Sequence, residues 1–500
     1  MREFAKAAVL AAAIMLGALS PAFSQATNAP PPVINRGVPI TPLGGYVIGS
    51  IARAAVSPMI ATVILGRGLT ISEAYHTTLG CMLGPVGWLL ADAMFPPTVA
   101  VTNTRQPTPP RKPKRTTSGG NVNIPPSGET RFIANEILLR FAAGTSERSR
   151  SLVVGQLNLT LLESQTFELT GQTIGRYRID GGQSAVQTLR LIARDFPGVN
   201  AAQVNFVYVG AQVQQPARQD PPAGDASAQY VVRKLHLLEA HRVNKGDDVL
   251  VAVVDSKIDN DHPGLAGVIG GEFDAVGTPT TPHAHGTAIA GAIAANSKLV
   301  GVAPKMKLLA VRAFSGAGES AQSTTFNILK GVDWAAAKNA RIINMSFAGP
   351  ADPMLREMLA RAGARGIVLV AVVGNAGPNS PPLYPGADAG VIGVIGVTAT
   401  DANDKLMPQA NRGPQVAVAA PGVEILAAAP DGKYQVTSGT SVAAAHVSGV
   451  AALLLATKPK LTPAQVRGNL VRSAHRIPGT RNEVGAGVVD ALAVVNPGSK

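Results

Sequence analysis

The chain has one cysteine in 500 residues, Cys81, which excludes an intrachain disulfide framework. Aromatic residues make up only 4%, and nowhere do they interleave with basic residues as a nucleic-acid module would require. The net charge of +13 is instead spread over a proline-rich stretch and expected helices, so no nucleic-acid partner is expected. The apolar stretches Ala54 to Leu65 and Leu79 to Phe95 each fall short of the roughly 20 residues that a membrane-spanning helix needs. The pair His283 and His285 lacks an accompanying cysteine or carboxylate set, so no metal centre is expected.

What is present is a chain long enough for two or more domains. It has 46% hydrophobic residues for a core, and its 53 glycines suit tight turns and close helix–sheet contact. Residues 1–24 predict a signal peptide: Arg2 and Lys6, then apolar Ala7 to Leu19, then Ala22-Phe23-Ser24 at the cleavage positions. Export to a periplasmic or extracellular location follows. Residues 25–100 form an apolar N-terminal region of unassigned role. Within it, 44–96 leaves two readings open, a membrane-associated hairpin and a small accessory helical region. Residues 101–130 read as a proline- and base-rich linker. Residues 131–210 read as a small α+β domain of order β-α-β-β-α-β, the split βαβ arrangement. Residues 211–228 are a second linker, rich in Pro, Gly and Gln.

Residues 229–500 alternate apolar runs of strand length with helical patterns. Strands are expected at 248–255, 307–313, 341–346, 366–373, 391–397 and 415–420, with helices at 285–296, 324–339, 352–364, 441–456 and 462–473. Alternation of this kind predicts an α/β fold: a doubly wound, mostly parallel sheet with helices on both faces. Thr462-Pro463 supplies a cap followed by proline at the first helical position.

Three polar residues stand out against this background. Asp255 closes the run Val249 to Val254, at the carboxyl end of an expected central strand, where open α/β sheets carry their sites. His285 and Ser441 each open a small-residue helix, in Ala284-His285-Gly286-Thr287 and Gly439-Thr440-Ser441-Val442. A serine there is close to unpaired backbone N–H groups that suit a developing oxyanion. It still needs a base to take its proton, which an imidazole near pKa 6.5 can do. The order Asp, His, Ser is one known order of the hydrolytic triad.

These pieces, together with Asn375 in Gly374-Asn375-Ala376-Gly377, resemble the subtilisin-like serine peptidases, in order and in context, over roughly Gln229 to Val494. The resemblance implies a serine endopeptidase acting through an acyl-enzyme, with Asp255, His285 and Ser441 as the catalytic triad and Asn375 as oxyanion donor. It implies substrate binding by Ser346, Phe347, Ala348 and Gly349, whose backbone pairs with an extended polypeptide. It also implies a main pocket walled by Val373 and Gly374 beside Val372. None of these pocket stretches carries a carboxylate, so a neutral, apolar side chain is expected at the cleaved position. Residues 131–210 resemble the inhibitory propeptide of that family, which makes the protein's own N-terminal domain a partner and the chain a zymogen. No cofactor is needed for the chemistry. Calcium is frequent in the family, so structural calcium is an expectation without assigned ligands. The sequence departs from the family at Val442, Ala445 and Lys257, where Met, Pro and Gly are usual. The alternative is a catalytically inactive, peptidase-like binding protein.

Overall fold

A computed structural model describes residues 121–210, 213–214, 229–316 and 321–498. The expected signal peptide, the apolar region 25–100, residues 101–120 of the first linker and most of the second linker lie outside the described residues.

The small domain follows the predicted element order. Strand β1 is Asn121–Asn123 and β2 is Phe132–Phe141, followed by the helix Glu147–Gln156. Strands β3, Leu159–Phe167, and β4, Gln172–Ile179, pair antiparallel. The helix Ala185–Asp195 then leads into β5, Val199–Gly210. That helix starts on a capping box in which Ser184 and Gln187 satisfy each other's backbone donors. Its Leu189 and Ile192 are buried on the sheet. The strand order is β1-β5-β2-β4-β3. Strand β1 is unexpected: it lies inside the predicted linker 101–130, where Asn121 to Asn123 align parallel to Ala201 to Gln203. The second linker also contributes a strand, β6, Val213–Gln214.

The larger domain is built on seven parallel strands. These are β7 (Leu250–Asp255), β8 (Ile269–Asp274), β9 (Lys307–Arg312), β11 (Ile342–Met345), β13 (Val368–Val372), β14 (Ile395–Thr400) and β15 (Val416–Pro421). Between them lie two short strands, β10 (Gln322–Thr324) and β12 (Phe347–Ala348). The sheet order is β15-β14-β13-β11-β7-β9-β8. A hairpin, β16 (Ile425–Ala429) and β17 (Lys433–Ser438), stands outside it.

Strand β7 explains its own sequence. Alternate side chains point to opposite faces, and both faces are covered, so every position is apolar. Val251 and Val253 pack with the helices Ala284–Ala294 and Thr440–Thr457. Ala252 and Val254 pack with Thr325–Ala337 and Pro353–Ala364 on the other face. Fully burying such a valine contributes roughly 1.5–3 kcal/mol. The helix Thr440–Thr457 is apolar and long enough to pass for a membrane span, but it is almost wholly enclosed by protein. Its small residues permit that enclosure: a Cβ on Gly449 would sit 2.5 Å from Cβ of Val302.

The two domains share one core. Phe167 meets Phe326 edge-on at 6.1 Å, and Tyr208 meets Phe347 at 5.7 Å. The last residues of β5 leave their own sheet and run between β10 and β12, antiparallel to both.

Candidate active site

Asp255 shares a strand face with Val251 and Val253, so it is aimed at the helices packed on that side. His285 and Ser441 are each the second residue of one of those helices. The site therefore lies beyond the carboxyl end of β7, where the strand order turns, with β9 on one side and β11 on the other.

His285 Nδ1 and Asp255 Oδ1 are 2.6 Å apart, with both residues 3% exposed. The same oxygen accepts the backbone N–H of Ser256 at 2.7 Å and the Ser256 hydroxyl at 3.0 Å. A proton held on Nδ1 by Asp255 leaves Nε2 as the basic nitrogen. Nε2 is buried and without a hydrogen-bond partner. Glycine after His285 has a steric cause: a Cβ on Gly286 would collide with the Ser256 carbonyl oxygen, and Gly286 N–H donates to the Ser256 hydroxyl at 3.0 Å.

The Ser441 hydroxyl donates to the Ser346 carbonyl at 3.4 Å, not to Nε2. Catalytic hydrogen bonds of this type commonly tighten only in the substrate complex. A buried polar chain fixes the serine's backbone. Ser448 donates to Asn344 at 2.8 Å, Asn344 donates to Ser346 at 2.9 Å, and Ser346 donates to the Ser441 carbonyl at 3.0 Å.

Asn375 follows β13. Its Oδ1 accepts from the Thr440 hydroxyl at 2.8 Å and the Thr440 backbone N–H at 3.2 Å. That fixes which end of the amide is the donor. The turn before it needs glycine, since Gly374 has φ +105° and a Cβ there would press on Leu383 and Asn411. Val373 is buried, its N–H bonded to the Val397 carbonyl at 3.1 Å. His446 Nδ1 is bonded to the Pro421 carbonyl at 2.8 Å. Burial pushes its pKa down to about 4.

The backbone of Phe347 and Ala348 does pair with an extended segment, and that segment is β5 of this chain. Phe347 lies opposite Gly210 and Ala348 opposite Val209. On the other side Gln322 to Thr324 lie opposite Val209 to Val207, and Gly210 N–H donates to the Ala321 carbonyl at 3.1 Å. Strand addition of this kind recognises backbone. A Cβ on Gly210 would lie 3.4 Å from the His285 ring. Beyond Gly210, Val213 and Gln214 pair with Ser438 and Thr437, just before the Ser441 helix.

The structure joins Asp255 to His285, Asn375 to Thr440 beside Ser441, and Ser346 to Ser441, and shows no hydrogen bond from Ser441 to His285 Nε2. Ser256, Thr440, Asn344 and Ser448 were not foreseen as supports. Two carried a legible sign, a polar residue inside an otherwise apolar strand or helix. Among the described residues, no three His, Cys, Asp or Glu side chains come together as a metal-ligand set.

The model of the subtilase family matches residues 246–487. Thermitase of Thermoactinomyces vulgaris is 34% identical over 278 residues, 54% of this chain and 96% of its own. Subtilisin DY of Bacillus licheniformis is 34% identical over 276 residues, 53% of this chain and 99% of its own. Subtilisin E of Bacillus subtilis is 36% identical over 256 residues, 50% of this chain, which is 66% of that protein's length, just under two thirds. Among solved structures, fervidolysin from Fervidobacterium pennivorans, described as a keratinolytic enzyme related to subtilisin, is similar in fold. Its TM-score is 0.62 at 24% identity, over 76% of this chain and 63% of its own. The chain belongs to the subtilase family of serine peptidases.

Proposed function

We propose that the chain is an exported serine endopeptidase made as a self-inhibited precursor. The single observation that carries the reading is the buried 2.6 Å pair of Asp255 and His285, with the end of β5 lying in the groove beside it. In this reading His285 Nε2 takes the Ser441 proton as Oγ attacks the scissile carbonyl carbon. Asp255 holds the imidazole by Nδ1 and stabilises the imidazolium that forms. The Asn375 side-chain amide and the Ser441 backbone N–H receive the oxyanion. The intermediate then collapses, His285 gives its proton to the leaving amine, and an acyl-enzyme forms. Water, activated by the same imidazole, releases the acyl group.

Residues 131–210 act as the inhibitor in this account, and the cut that frees the enzyme falls between Gly210 and Val213. The pairing of Gly210 beside His285, and of Val213 just ahead of Ser441, supports that position. A neutral side chain is accepted at the cleaved position, because Val372, Val373 and Gly374 offer no charge to a cation. A peptide library that returned mainly Arg or Lys there would contradict this.

A fluorophosphonate probe tests the assembled triad. Labelling of Ser441, abolished by His285→Ala, is the expected result. A folded chain that binds peptides and takes no label at Ser441 would mark a binding protein instead.

A further inference from the structure

Tyr208, two residues before Gly210, is fully buried although it belongs to the segment laid in the groove. Its ring stands edge-on to Phe347 and occupies the space above Gly349, where a Cβ would run into it. The groove therefore has a deep apolar slot at this position, opened by the missing side chain of Gly349. The floor of that slot is polar. The Tyr208 hydroxyl lies 3.3 Å from the Pro350 carbonyl and 3.3 Å from Asp352 Oδ2.

Asp352 is only 5% exposed, and four donors reach its two oxygens, although the Asp388 carboxylate is near enough to repel it. Oδ1 accepts the Leu355 backbone N–H at 3.0 Å and the Gln203 amide at 2.8 Å, and Oδ2 accepts the Thr325 hydroxyl at 2.6 Å. Helix capping of Pro353–Ala364 explains the Leu355 bond alone. The Thr325 and Tyr208 hydroxyls converge on the other oxygen; Tyr208 and Gln203 both come from β5, and Thr325 and Leu355 from the larger domain. Burial pushes the Asp352 carboxyl up, and the four donors oppose that rise.

We propose that Asp352 is a specificity-determining residue: it selects polypeptides that present a tyrosine hydroxyl at the groove position held by Tyr208. The inference rests on the peptidase reading and adds a substrate class to it. The ring fills a slot that phenylalanine would fill equally well, so apolar contact does not distinguish the two. Discrimination comes from the floor, because a phenylalanine leaves a buried carboxylate short of one donor. Sites built to bond a hydroxyl reject analogues that lack it for this reason. A segment of the chain's own sequence with tyrosine at this position is then also the best-fitted occupant of the groove before processing.

The test uses the full chain after it has processed itself, with quenched fluorescent peptides spanning Ala202 to Gln214, so that both supply the Gln203 amide to Asp352. One peptide keeps tyrosine at the position of Tyr208 and the other carries phenylalanine. The wild-type enzyme is expected to prefer the tyrosine peptide roughly tenfold in kcat/KM. In Asp352→Asn, which keeps a capping oxygen, and in Asp352→Ala, the ratio falls toward one. A lowered overall rate from a weakened helix cap lowers both peptides together and does not move the ratio. Equal cleavage of the two peptides by the wild type, or an unchanged ratio in both variants, would overturn the proposal while leaving the peptidase reading intact. Cleavage of neither peptide would instead count against the peptidase reading, and the proposal falls with it.

Discussion

Asp333 of the larger domain receives the backbone N–H of Leu169 at 2.8 Å, and its second oxygen receives that of Glu168 at 3.0 Å. Asp333 is 5% exposed, so this carboxylate holds the turn after β3 of the small domain with little competition from water. A charge-assisted bond of this kind is stronger than a neutral one. Two ion pairs join the same surfaces, Lys330 with Glu163 and Arg140 with Glu357, each at 2.6 Å. Their carboxylates, Glu163 and Glu357, are partly exposed and so screened, and without Glu357 the buried Arg140 still has Gln172 as a partner.

Asp333→Ala should therefore loosen the small domain where Glu357→Ala barely does. Two donors lose their acceptor, and the buried one, the Leu169 N–H, accounts for about 1–3 kcal/mol. In full-length protein, casein-hydrolysing activity is expected to appear about tenfold sooner for Asp333→Ala, with an unchanged lag for Glu357→Ala. Equal lags for both variants and wild type would mean that Asp333 does not hold the small domain in place.

Gly286→Ala should separate fold from activity. The added methyl meets the Ser256 carbonyl, so the helix carrying His285 must shift away from Asp255. Overpacking of this kind costs about 1–3 kcal/mol. A misplacement near 1 Å costs about 100-fold in rate. Circular dichroism should stay native while kcat falls by about that factor. Full activity in the variant would mean that the close approach is not needed.

Asn375→Ala should reduce kcat about 100- to 1000-fold with KM little changed, a magnitude established in a subtilisin rather than obtained from this chain. Asn375→Asp is expected to be no better, because it places negative charge where an oxyanion forms. Steady-state kinetics on one peptide decides it. A rise in KM at constant kcat would assign Asn375 to binding alone.

Stability should fall in mild acid through His446. Its folded-state pKa of about 4 lies below the ordinary value of 6.5. The unfolded chain therefore takes a proton, as pH falls below 6.5, that the folded chain refuses. The penalty is absent above pH 6.5, grows as pH falls toward 4 and then levels off. In full it amounts to roughly 3 kcal/mol. Urea midpoints of the Ser441→Ala chain between pH 7 and 4 measure it. His446→Gln, whose amide can still donate to the Pro421 carbonyl, should flatten that slope; an unchanged slope would contradict the assignment.

Much of this was readable from the residues because local pattern and global fold agree. The run Val249 to Val254 has no polar side, which only a strand covered on both faces explains. Thr462 and Pro463 do start a helix, with Gln465 completing the capping box. Other features were hidden for physical reasons. Strand β8 spends two of its six residues on glycine and sits at the sheet edge, so it has no apolar run. Strand β14 was expected at 391–397 but spans Ile395–Thr400. Ala389–Ile392 forms a helical turn first, ended by Gly393 at φ +76°. Strand β1 is the polar triplet Asn-Val-Asn, ordered by its partner strand rather than by its own preference. In the site, Asp352 before Pro353 reads as an ordinary helix start. Its second role depends on Tyr208, 144 residues away.

Every step of the proposed chemistry passes through Ser441. Intact-mass analysis of purified full-length protein, alongside casein digestion, compares the wild type with Ser441→Ala. The wild type should yield a fragment whose N-terminus lies between Gly210 and Val213, and it should digest casein. The Ser441→Ala chain should keep its small domain attached and leave casein whole. Processing at the same bonds and undiminished digestion by the Ser441→Ala chain would contradict the account.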